Sequence, residues 1–380
     1  MLSMMKTKKR LGQYFTTDAD LQQCIFDNVQ HKRSVLLEPA VGAGHLLIPF
    51  LKENPHYPMV CYEIDKQIRP VVTLNENQTL IYANFLQSTI FTKFKTIIGN
   101  PPYIKNSSGN IYLKFIERCL ELLDDDGEML FIVPSDFIKI THSSKLLHEM
   151  STLGGFTHFW FPRNEGLFED ANVDVMVFRY QKGVFKHSVY VNNVVRPYNI
   201  YHGILTFTPP TKTHVHDVFD VCVGMVTGLD KVFKTEIGNI QMLVDKNKVA
   251  PFIYLTSFPS SRPDINYYLE LHKPELMRRQ IKSFTERNWF EWGAPRNIHT
   301  IESKADTPCI YMYLLSRKKE IAFLGKVQYF SGTLLCMIPK QPIDLARALE
   351  YFNSEAFQQQ YIYSGRFKIG QRQLMNAAFI

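Results

Sequence analysis

Short β-type segments alternate with helix-like segments over the first half of the chain, and this pattern constrains the fold more than any other feature. Such alternation is typical of βαβ units built around a parallel sheet. The last two candidate strands have no helical segment between them and are predicted to pair antiparallel. We therefore predict an α/β, Rossmann-like, seven-stranded and mostly parallel sheet. The candidate strands are residues 35–40, 59–65, 79–86, 96–99, 128–134, 156–161 and 173–180.

The alternation stops where the chain becomes rich in Pro, Tyr and Thr, between residues 196 and 213. Such stretches commonly separate domains. We therefore predict a first domain at residues 1–200, and a second domain of α+β type at residues 201–380. Between the fourth and fifth strands, residues 111–123 carry apolar side chains at helical spacing, and the following 124–127 are predicted to end that helix.

The net charge of +7 is concentrated in the second half of the chain. Residues 1–200 contain 21 basic and 20 acidic side chains, whereas residues 201–380 contain 22 and 16. Basic clusters with interleaved aromatic residues are typical of surfaces that bind nucleic-acid phosphates, although an ordinary solvated face would have the same composition. The basic candidates are Arg278, Arg279, Lys282, Arg287, Arg317, Lys318, Lys319, Arg366, Lys368 and Arg372, and the aromatic ones are Trp289, Trp292, Tyr329 and Tyr363.

Several protein classes are disfavoured by composition. No segment reaches the roughly 18 apolar residues of a membrane span, and the first ten residues are not followed by the apolar region of a signal peptide. The six cysteines are scattered, without a CxxC pair or histidines at zinc-ligand spacing. We expect an intracellular, cytoplasmic protein with reduced thiols and no metal.

A glycine turn follows the first candidate strand, in the sequence Glu38-Pro39-Ala40-Val41-Gly42-Ala43-Gly44. Glycines in a strand-to-helix turn let the backbone approach a ligand closely. Glu63 ends the second strand 21 residues after Gly42, where an acid can accept both ribose hydroxyls of a nucleoside. The pattern indicates a nucleoside site. A tight connection and a surface acid are the alternatives.

The third and fourth candidate strands also end in polar and aromatic residues. Asn84 and Phe85 follow the third, where an amide could bond a base and an aromatic ring could cover it, or where both could be structural. The fourth runs into Asn100-Pro101-Pro102-Tyr103, in which two prolines remove two N–H donors and leave acceptors beside the Asn100 amide. These acceptors suit a substrate amino group, and Tyr103 offers a stacking surface.

In these motifs the chain resembles the N6-adenine DNA methyltransferases, particularly the gamma-type arrangement typified by the TaqI modification methylase of type II restriction-modification systems. Residues 11–16 resemble the amino-terminal cofactor motif, and the motifs at residues 38–44, 63, 84–85 and 100–103 follow in family order. Residues 166–168 resemble the segment whose aromatic residue, here Phe168, contacts the flipped base. Residues 353–356 are a weaker match in the target-recognition region. The family often has an acid where this chain has Asn84.

The resemblance implies an S-adenosylmethionine-dependent, adenine-specific DNA methyltransferase. It implies that Glu63 holds the ribose, that Phe85 and Ile64 enclose the adenine, and that Thr16, Glu38 and Gly42 flank the methionine end. Base flipping would be assisted by stacking on Tyr103 and Phe168. The implied cofactor residues are Tyr14, Thr16, Glu38, Pro39, Ala40, Gly42, Gly44, Glu63, Ile64, Asn84, Phe85 and Asn100, and the implied catalytic residues are Asn100, Pro101, Pro102 and Tyr103.

The resemblance also implies partners. These are double-stranded DNA, bound through Arg278, Arg279, Lys282, Arg366 and Lys368, and a cognate restriction endonuclease as a functional partner of a monomeric enzyme. Protein glutamine methyltransferases share the Asn-Pro-Pro-Tyr motif, but their extra domain precedes the catalytic fold. The rRNA adenine dimethylases share a similar leader but usually have an aliphatic residue in place of Pro101. An inactive DNA-binding subunit is a further alternative.

Overall fold

The computed structural model describes residues 16–106, 109–162, 174–363 and 366–379. The chain divides into two compact units, residues 1–210 with 363–365, and residues 211–362 with 366–380. The division falls beyond the predicted boundary at residue 200, because the hairpin formed by Asn199–Tyr201 and Ile204–Thr206 belongs to the first unit.

The first unit contains four helices and thirteen strands among its described residues. The helices are α1 (Ala19–Asn28), α2 (Ile48–Glu53), α3 (Ile111–Leu122) and α4 (Ser144–Leu153). The strands are β1 (Leu36–Glu38), β2 (Met59–Glu63), β3 (Gln78–Tyr82), β4 (Phe94–Gly99), β5 (Lys105–Asn106), β6 (Gly109–Asn110), β7 (Leu123–Pro134), β8 (Gly154–Trp160), β9 (Val175–Lys182), β10 (Ser188–Val191), β11 (Val194–Pro197), β12 (Asn199–Tyr201) and β13 (Ile204–Thr206).

The central sheet of this unit has the order β11-β10-β8-β9-β7-β4-β1-β2-β3. Strands β3, β2, β1, β4 and β7 pair in parallel, and β9 runs antiparallel between β7 and β8. The mostly parallel Rossmann-like sheet and its antiparallel pair are confirmed. The predicted strand number was wrong, because β10 and β11 extend the sheet from seven strands to nine.

The chain leaves β1 toward β2 on one side of the sheet and later returns to β4 on the other. Ligands of open α/β sheets bind at such a reversal, beyond the carboxyl ends of the strands. Strands β1 and β4 are direct neighbours, with Leu36 opposite Thr96 and Leu37 opposite Ile97. Glu38, at the end of β1, and Asn100, just after β4, are therefore brought to the same edge.

A buried ion pair crosses the sheet away from that edge. Arg179 of β9 and Glu128 of β7 have side chains that are 1% and 0% exposed, and Arg179 Nη2 lies 2.7 Å from Glu128 Oε2. The other Glu128 oxygen accepts from the backbone amides of Gln30 and His31 at 2.7 and 2.8 Å. The charges are thus satisfied, as burial requires, and the pair ties the segment after α1 to the sheet.

The second unit combines an antiparallel sheet with short helices, as the α+β prediction required. Its described helices are α5 (Val215–Val218), α6 (Asp230–Phe233), α7 (Pro263–Met277), α8 (Ile298–Ser303), α9 (Leu345–Asn353), α10 (Glu355–Gln358) and α11 (Gln371–Met375). Its strands are β14 (Phe219–Val223), β15 (Ile240–Asp245), β16 (Lys248–Phe252), β17 (Pro308–Tyr313), β18 (Leu315–Ser316), β19 (Ala322–Lys326), β20 (Leu334–Pro339), β21 (Ile362–Tyr363) and β22 (Arg366–Lys368).

The main sheet of the second unit has the order β14-β20-β17-β19. Its core includes Trp289 and Trp292, which are 2% and 1% exposed. Among the described residues of both units, no helix is long and apolar enough to cross a membrane.

Candidate cofactor and substrate site

The turn after β1 depends on two glycines with left-handed backbone conformations. Gly42 has φ = 55° and Gly44 has φ = 80°, values that residues with a side chain rarely adopt. Gly44 caps the short 3₁₀ helix His45–Leu47 that leads into α2. The turn therefore needs glycine at these two predicted cofactor positions.

Glu63 joins this turn to the end of β2. Its Oε2 atom accepts from the Gly42 amide at 2.9 Å, and its Oε1 atom accepts from the Asp65 amide at 2.8 Å. Each carboxylate oxygen can accept a further hydrogen bond. The structure thus fixes the Glu63 carboxylate and leaves it acceptor capacity for a pair of hydroxyls. Beside it, the Ile64 side chain is 54% exposed and offers an apolar surface.

Glu38 is the most unusual group at this edge. It is 1% exposed, and its Oε1 atom accepts from the Ala40 amide at 3.0 Å. Its buried Oε2 atom has no hydrogen-bond partner among the described residues. Burial, with a smaller contribution from nearby Glu63, raises the pKa of Glu38 to about 8. An unsatisfied buried carboxyl suits a cationic ligand, because such a ligand would provide the missing partner.

Gly99 is a site residue that sequence reasoning missed. A Cβ atom on Gly99 would lie 3.3 Å from Glu38 Oε1 and 3.2 Å from a ring carbon of Phe131. A side chain here would require Glu38 or Phe131 to shift by a few tenths of an ångström, so glycine lets the end of β4 pack this closely against Glu38. The signal was present in the sequence, as a glycine that ends a strand directly before Asn100.

The third strand contributes differently from the prediction. Phe85 is 2% exposed, stacks on Phe115 at a centroid distance of 5.5 Å and contacts Tyr62 edge-on. Its ring is packed in the core, and its contact with an adenine stays a prediction. Asn84 Oδ1 accepts from the Leu86 amide at 3.1 Å and caps a short 3₁₀ helix. Of the predicted adenine-enclosing pair, Ile64 alone has an exposed side chain.

The Asn100 side chain is held on both sides. Its Nδ2 atom donates to Thr16 Oγ1 at 2.9 Å, and its Oδ1 atom accepts from the Tyr103 hydroxyl at 2.5 Å. The same hydroxyl lies 3.0 Å from the carbonyl oxygen of Ile132. Burial keeps the pKa of Tyr103 well above its usual value, so this hydroxyl is neutral. The tertiary structure thus brings the predicted residues Thr16, Asn100 and Tyr103 together.

The two prolines of the Asn-Pro-Pro-Tyr motif lie beside the Asn100 amide. Pro101 is buried and Pro102 half-buried beside Asn100. Tyr14 and Phe168, like most of the segments at 11–16 and 166–168, lie outside the described residues.

Arg279, predicted to contact DNA, is instead a structural residue of the second unit. It is 8% exposed, and its guanidinium donates to the carbonyl oxygens of Leu276, Thr227, Glu291 and Trp289. The first three distances are 2.8, 2.8 and 2.9 Å, and the fourth is 2.5 Å. Burial lowers the pKa of Arg279 to about 10. A guanidinium enclosed by backbone carbonyls has little capacity left for a phosphate.

The other basic candidates differ in their surroundings. Arg278 is exposed, whereas Lys282 is paired with Glu291 at 2.9 Å. Arg366 and Lys368 are half-buried. Among the interleaved aromatic residues whose side chains the structure describes, Trp289 and Trp292 lie in the core and Tyr329 is partly buried against it, so these three do not form an exposed stacking surface.

Residues 353–356 also have a structural role. Asn353 Oδ1 accepts from the amides of Ile321 and Ala322, at 2.9 and 3.0 Å, and its Nδ2 atom donates to the Ala322 carbonyl at 3.0 Å. Ser354 caps α10 through its side chain. This segment thus joins α9 and α10 to β19. In the described part of the chain, no group of three or more His, Cys, Asp or Glu side chains could hold a metal ion.

Comparisons with known proteins find similarity to methyltransferases. Residues 60–158 match the family model described as Eco57I restriction-modification methylase. The chain is 24% identical over 214 residues to the type II methyltransferase M.HincII of Haemophilus influenzae, covering 50% of this chain and 41% of that protein. It is 38% identical over 100 residues to the ribosomal RNA small subunit methyltransferase A of Mesomycoplasma hyopneumoniae, covering 25% of this chain and 38% of that protein.

A solved modification subunit of a type I restriction enzyme of Vibrio vulnificus YJ016 superposes on 50% of this chain and 50% of its own, with a TM-score of 0.41 and 12% identity. The chain thus matches about two fifths of the length of its curated relatives. These relatives are methyltransferases by name, and S-adenosylmethionine is the expected cofactor.

Proposed function

We propose that this chain is a site-specific DNA methyltransferase of gamma type, which transfers a methyl group from S-adenosylmethionine to N6 of adenine in duplex DNA. The observation that carries the proposal is the Asn100 amide, held between Thr16 and Tyr103 at the reversal point of the sheet. The buried Glu38 carboxyl and the fixed Glu63 carboxylate lie on the neighbouring turns and suit a cationic nucleoside. The restriction-modification methylase match over residues 60–158 favours DNA as substrate.

The bound cofactor would supply an electrophilic methyl group, and the protein would prepare the amine. Asn100 Oδ1 and the Pro101 carbonyl would accept the two hydrogens of the adenine amino group. These bonds draw the nitrogen lone pair out of conjugation with the ring and direct it toward the methyl group. No strong general base is required, because the amine loses a proton only after methylation has made it cationic.

The Tyr103 hydroxyl uses one of the two lone pairs of Asn100 Oδ1, so the amine could take the other lone pair or replace the hydroxyl. The Ile132 carbonyl provides an alternative acceptor at 3.0 Å. Since a hydroxyl has one hydrogen, rotating it toward Ile132 releases Asn100 Oδ1 without leaving the phenol unsatisfied. Such a rotation would leave both lone pairs of Asn100 Oδ1 to the substrate amine.

The target adenine would have to leave the duplex to reach Asn100, at a cost of a few kcal/mol. Stacking on Tyr103 and Phe168 would offset part of that cost. We further propose that residues 211–362 and 366–380 recognise DNA, with Arg278, Lys282, Arg366 and Lys368 as candidate phosphate contacts. The monomeric state and the cognate restriction endonuclease also remain proposals.

The direct test is label transfer from radioactive S-adenosylmethionine to unmethylated genomic DNA, followed by nucleoside analysis. The expected product is N6-methyladenine. Label in neither DNA nor RNA would refute the methyltransferase proposal, and label in another nucleoside of DNA would refute the adenine assignment. Sequencing the modified sites would then identify the recognition sequence.

An RNA adenine methyltransferase is the second candidate. The 38% identity to a ribosomal RNA methyltransferase over 100 residues favours it. Pro101 favours DNA, because the rRNA dimethylases resembled by the leader usually have an aliphatic residue there. Parallel assays with ribosomal RNA and duplex DNA separate the two, since each candidate predicts label in only one substrate.

We expect the affinity for S-adenosylmethionine to rise with pH up to about 8 and then level off. Glu38 binds a proton more tightly than usual in the free protein, with a pKa of about 8. The cationic methionine end would stabilise the carboxylate and lower this pKa, so binding below pH 8 must release a proton. The affinity should rise by at most about tenfold per pH unit, since one proton is released.

Calorimetry in buffers of different ionisation enthalpy measures this proton release. Glu38→Gln serves as the matched variant, because the ligand's own ionisation is the same in both titrations. Below pH 8, the affinity of the wild type for S-adenosylmethionine should rise with pH more steeply than the affinity of Glu38→Gln. Identical profiles for both proteins would contradict the role of Glu38.

We expect Tyr103→Ala to lower the turnover number about 10- to 100-fold, the range that corresponds to one lost base-stacking contact. Tyr103→Phe keeps the ring and should retain turnover within about tenfold of the wild type. Duplex affinity should change less than turnover in both variants, because the extruded base is the only part of the DNA that the ring is proposed to contact. Rapid-quench assays with filter binding measure the two quantities, and full turnover in Tyr103→Ala would exclude stacking.

A further inference from the structure

Gln22 is a buried amide that the proposed mechanism does not use. It lies on α1 and is 7% exposed. Its Nε2 atom donates to the backbone carbonyl oxygen of Thr16 at 2.7 Å. A buried amide gives up its hydration, so it is favourable only through the hydrogen bonds that it makes.

The Thr16 carbonyl and the Thr16 hydroxyl connect Gln22 to the reacting end of the site. Thr16 is 4% exposed, and its Oγ1 atom accepts from Asn100 Nδ2 at 2.9 Å. The hydrogen bonds therefore run from Gln22 through Thr16 to Asn100, and from Asn100 to Tyr103.

The orientation of the Asn100 amide matters for the chemistry. A side-chain amide has a donor end and an acceptor end, and only the acceptor end can receive the hydrogen of a substrate amine. When Nδ2 is directed to Thr16, Oδ1 faces Tyr103 and the position of the amine. If the Thr16 hydroxyl were displaced, the Asn100 amide could rotate. The position of the Thr16 backbone sets the position of this hydroxyl, and through it the orientation of the Asn100 amide.

We propose that Gln22 is a positioning residue for methyl transfer, which holds Thr16 so that the Asn100 amide presents its oxygen to the substrate amine. This inference rests on the proposed function, since it concerns the same site. It assigns Gln22 no contact with cofactor or substrate. Because Thr16 is also a proposed cofactor contact, the same link would connect the methyl-donor end of the site to Asn100.

The test compares Gln22→Leu with Gln23→Leu in steady-state methyl transfer to unmethylated genomic DNA. Gln23 is the matched control, because it neighbours Gln22 on α1 but is exposed, and its side chain donates to Asp27 Oδ1 at 2.7 Å. We expect kcat of Gln22→Leu to fall about tenfold, the effect of a modest misplacement of a catalytic group. We expect any rise in its KM for S-adenosylmethionine to stay clearly smaller than the fall in kcat, because Thr16 is one of several proposed cofactor contacts, and we expect Gln23→Leu to match the wild type.

A double variant checks that the effect passes through Thr16. In a Thr16→Val background, the hydroxyl that receives Asn100 Nδ2 is gone, so adding Gln22→Leu should lower kcat less than twofold further. Gln22→Glu has the same size but cannot donate when ionised, so at a pH high enough to ionise it this variant should lose at least as much kcat as Gln22→Leu.

Three outcomes would overturn the inference while wild-type activity upholds the proposed function. These are an unchanged kcat in Gln22→Leu, an equal loss in Gln23→Leu, and a full tenfold loss on adding Gln22→Leu to Thr16→Val. A wild-type protein that methylates no nucleic acid would instead refute the proposed function.

Discussion

Replacing Asn100 by alanine will lower the rate of methyl transfer by about 10²–10³-fold, comparable to removing one preorganised polar group from a transition state. The proposed role of Oδ1 is to accept a hydrogen from the amine as the nitrogen becomes cationic. This bond strengthens during the reaction, so its loss acts on kcat more than on binding. Single-turnover assays with saturating labelled cofactor and DNA measure the effect directly.

Two controls make the Asn100 result interpretable. Asn77→Ala removes an exposed asparagine at the start of the β3 strand, away from the carboxyl ends of the strands, and should retain full activity. Cofactor binding by Asn100→Ala, measured by calorimetry, should remain within a few-fold of the wild type. Equal single-turnover rates in Asn100→Ala and wild type would exclude Asn100 from the chemistry.

Replacing Arg279 by methionine will lower the free energy of unfolding by about 3–5 kcal/mol. The guanidinium satisfies four backbone carbonyls from three separate segments of the second unit. Methionine retains much of the apolar stem but leaves these carbonyls without their donor, and each such loss in a buried place costs about 1–3 kcal/mol before relaxation and water entry. Urea unfolding monitored by tryptophan fluorescence measures the loss, since Trp289 and Trp292 lie in the same core.

The adjacent Arg278 provides the comparison that separates structure from charge. It is exposed, so Arg278→Met removes the same charge and should leave the unfolding midpoint unchanged. If Arg278 contacts phosphate as proposed, the same variant should also weaken the salt dependence of DNA binding. The slope of log K against log salt concentration should become less negative by about one. Equal stability of the Arg279→Met and wild-type proteins would show that the carbonyls find other partners.

The cofactor end of the fold was predictable because its constraints are local. Gly42 and Gly44 were selected from their place in a strand-to-helix turn, and both have the positive φ that only glycine adopts easily. Glu63 was placed by its spacing from Gly42, and the two are joined by a hydrogen bond. The glycine turn and the end of β2 are close in sequence. The spacing between Gly42 and Glu63 is therefore enough to predict that they lie next to each other.

Predictions that depended on the direction of a side chain were less accurate. Phe85 was expected to face a ligand, yet its ring packs on Phe115 in the core. Arg279 was assigned to a surface cluster from its basic neighbours, yet it is enclosed by carbonyls. Basic and aromatic residues look alike in a sequence whether they face solvent or core, because the partners that bury them come from distant segments.

Local patterns of residues were thus enough to predict the mostly parallel, Rossmann-like sheet and the residues at the ends of β1, β2 and β4. These features follow from side-chain periodicity and from the conformations that glycine and proline allow. Only the folded chain could show that Gln22 supports Thr16, that Thr16 receives the Asn100 amide, and that Arg279 is structural. Asn100 lies 84 residues from Thr16, and contacts of that separation arise only when packing brings distant segments together.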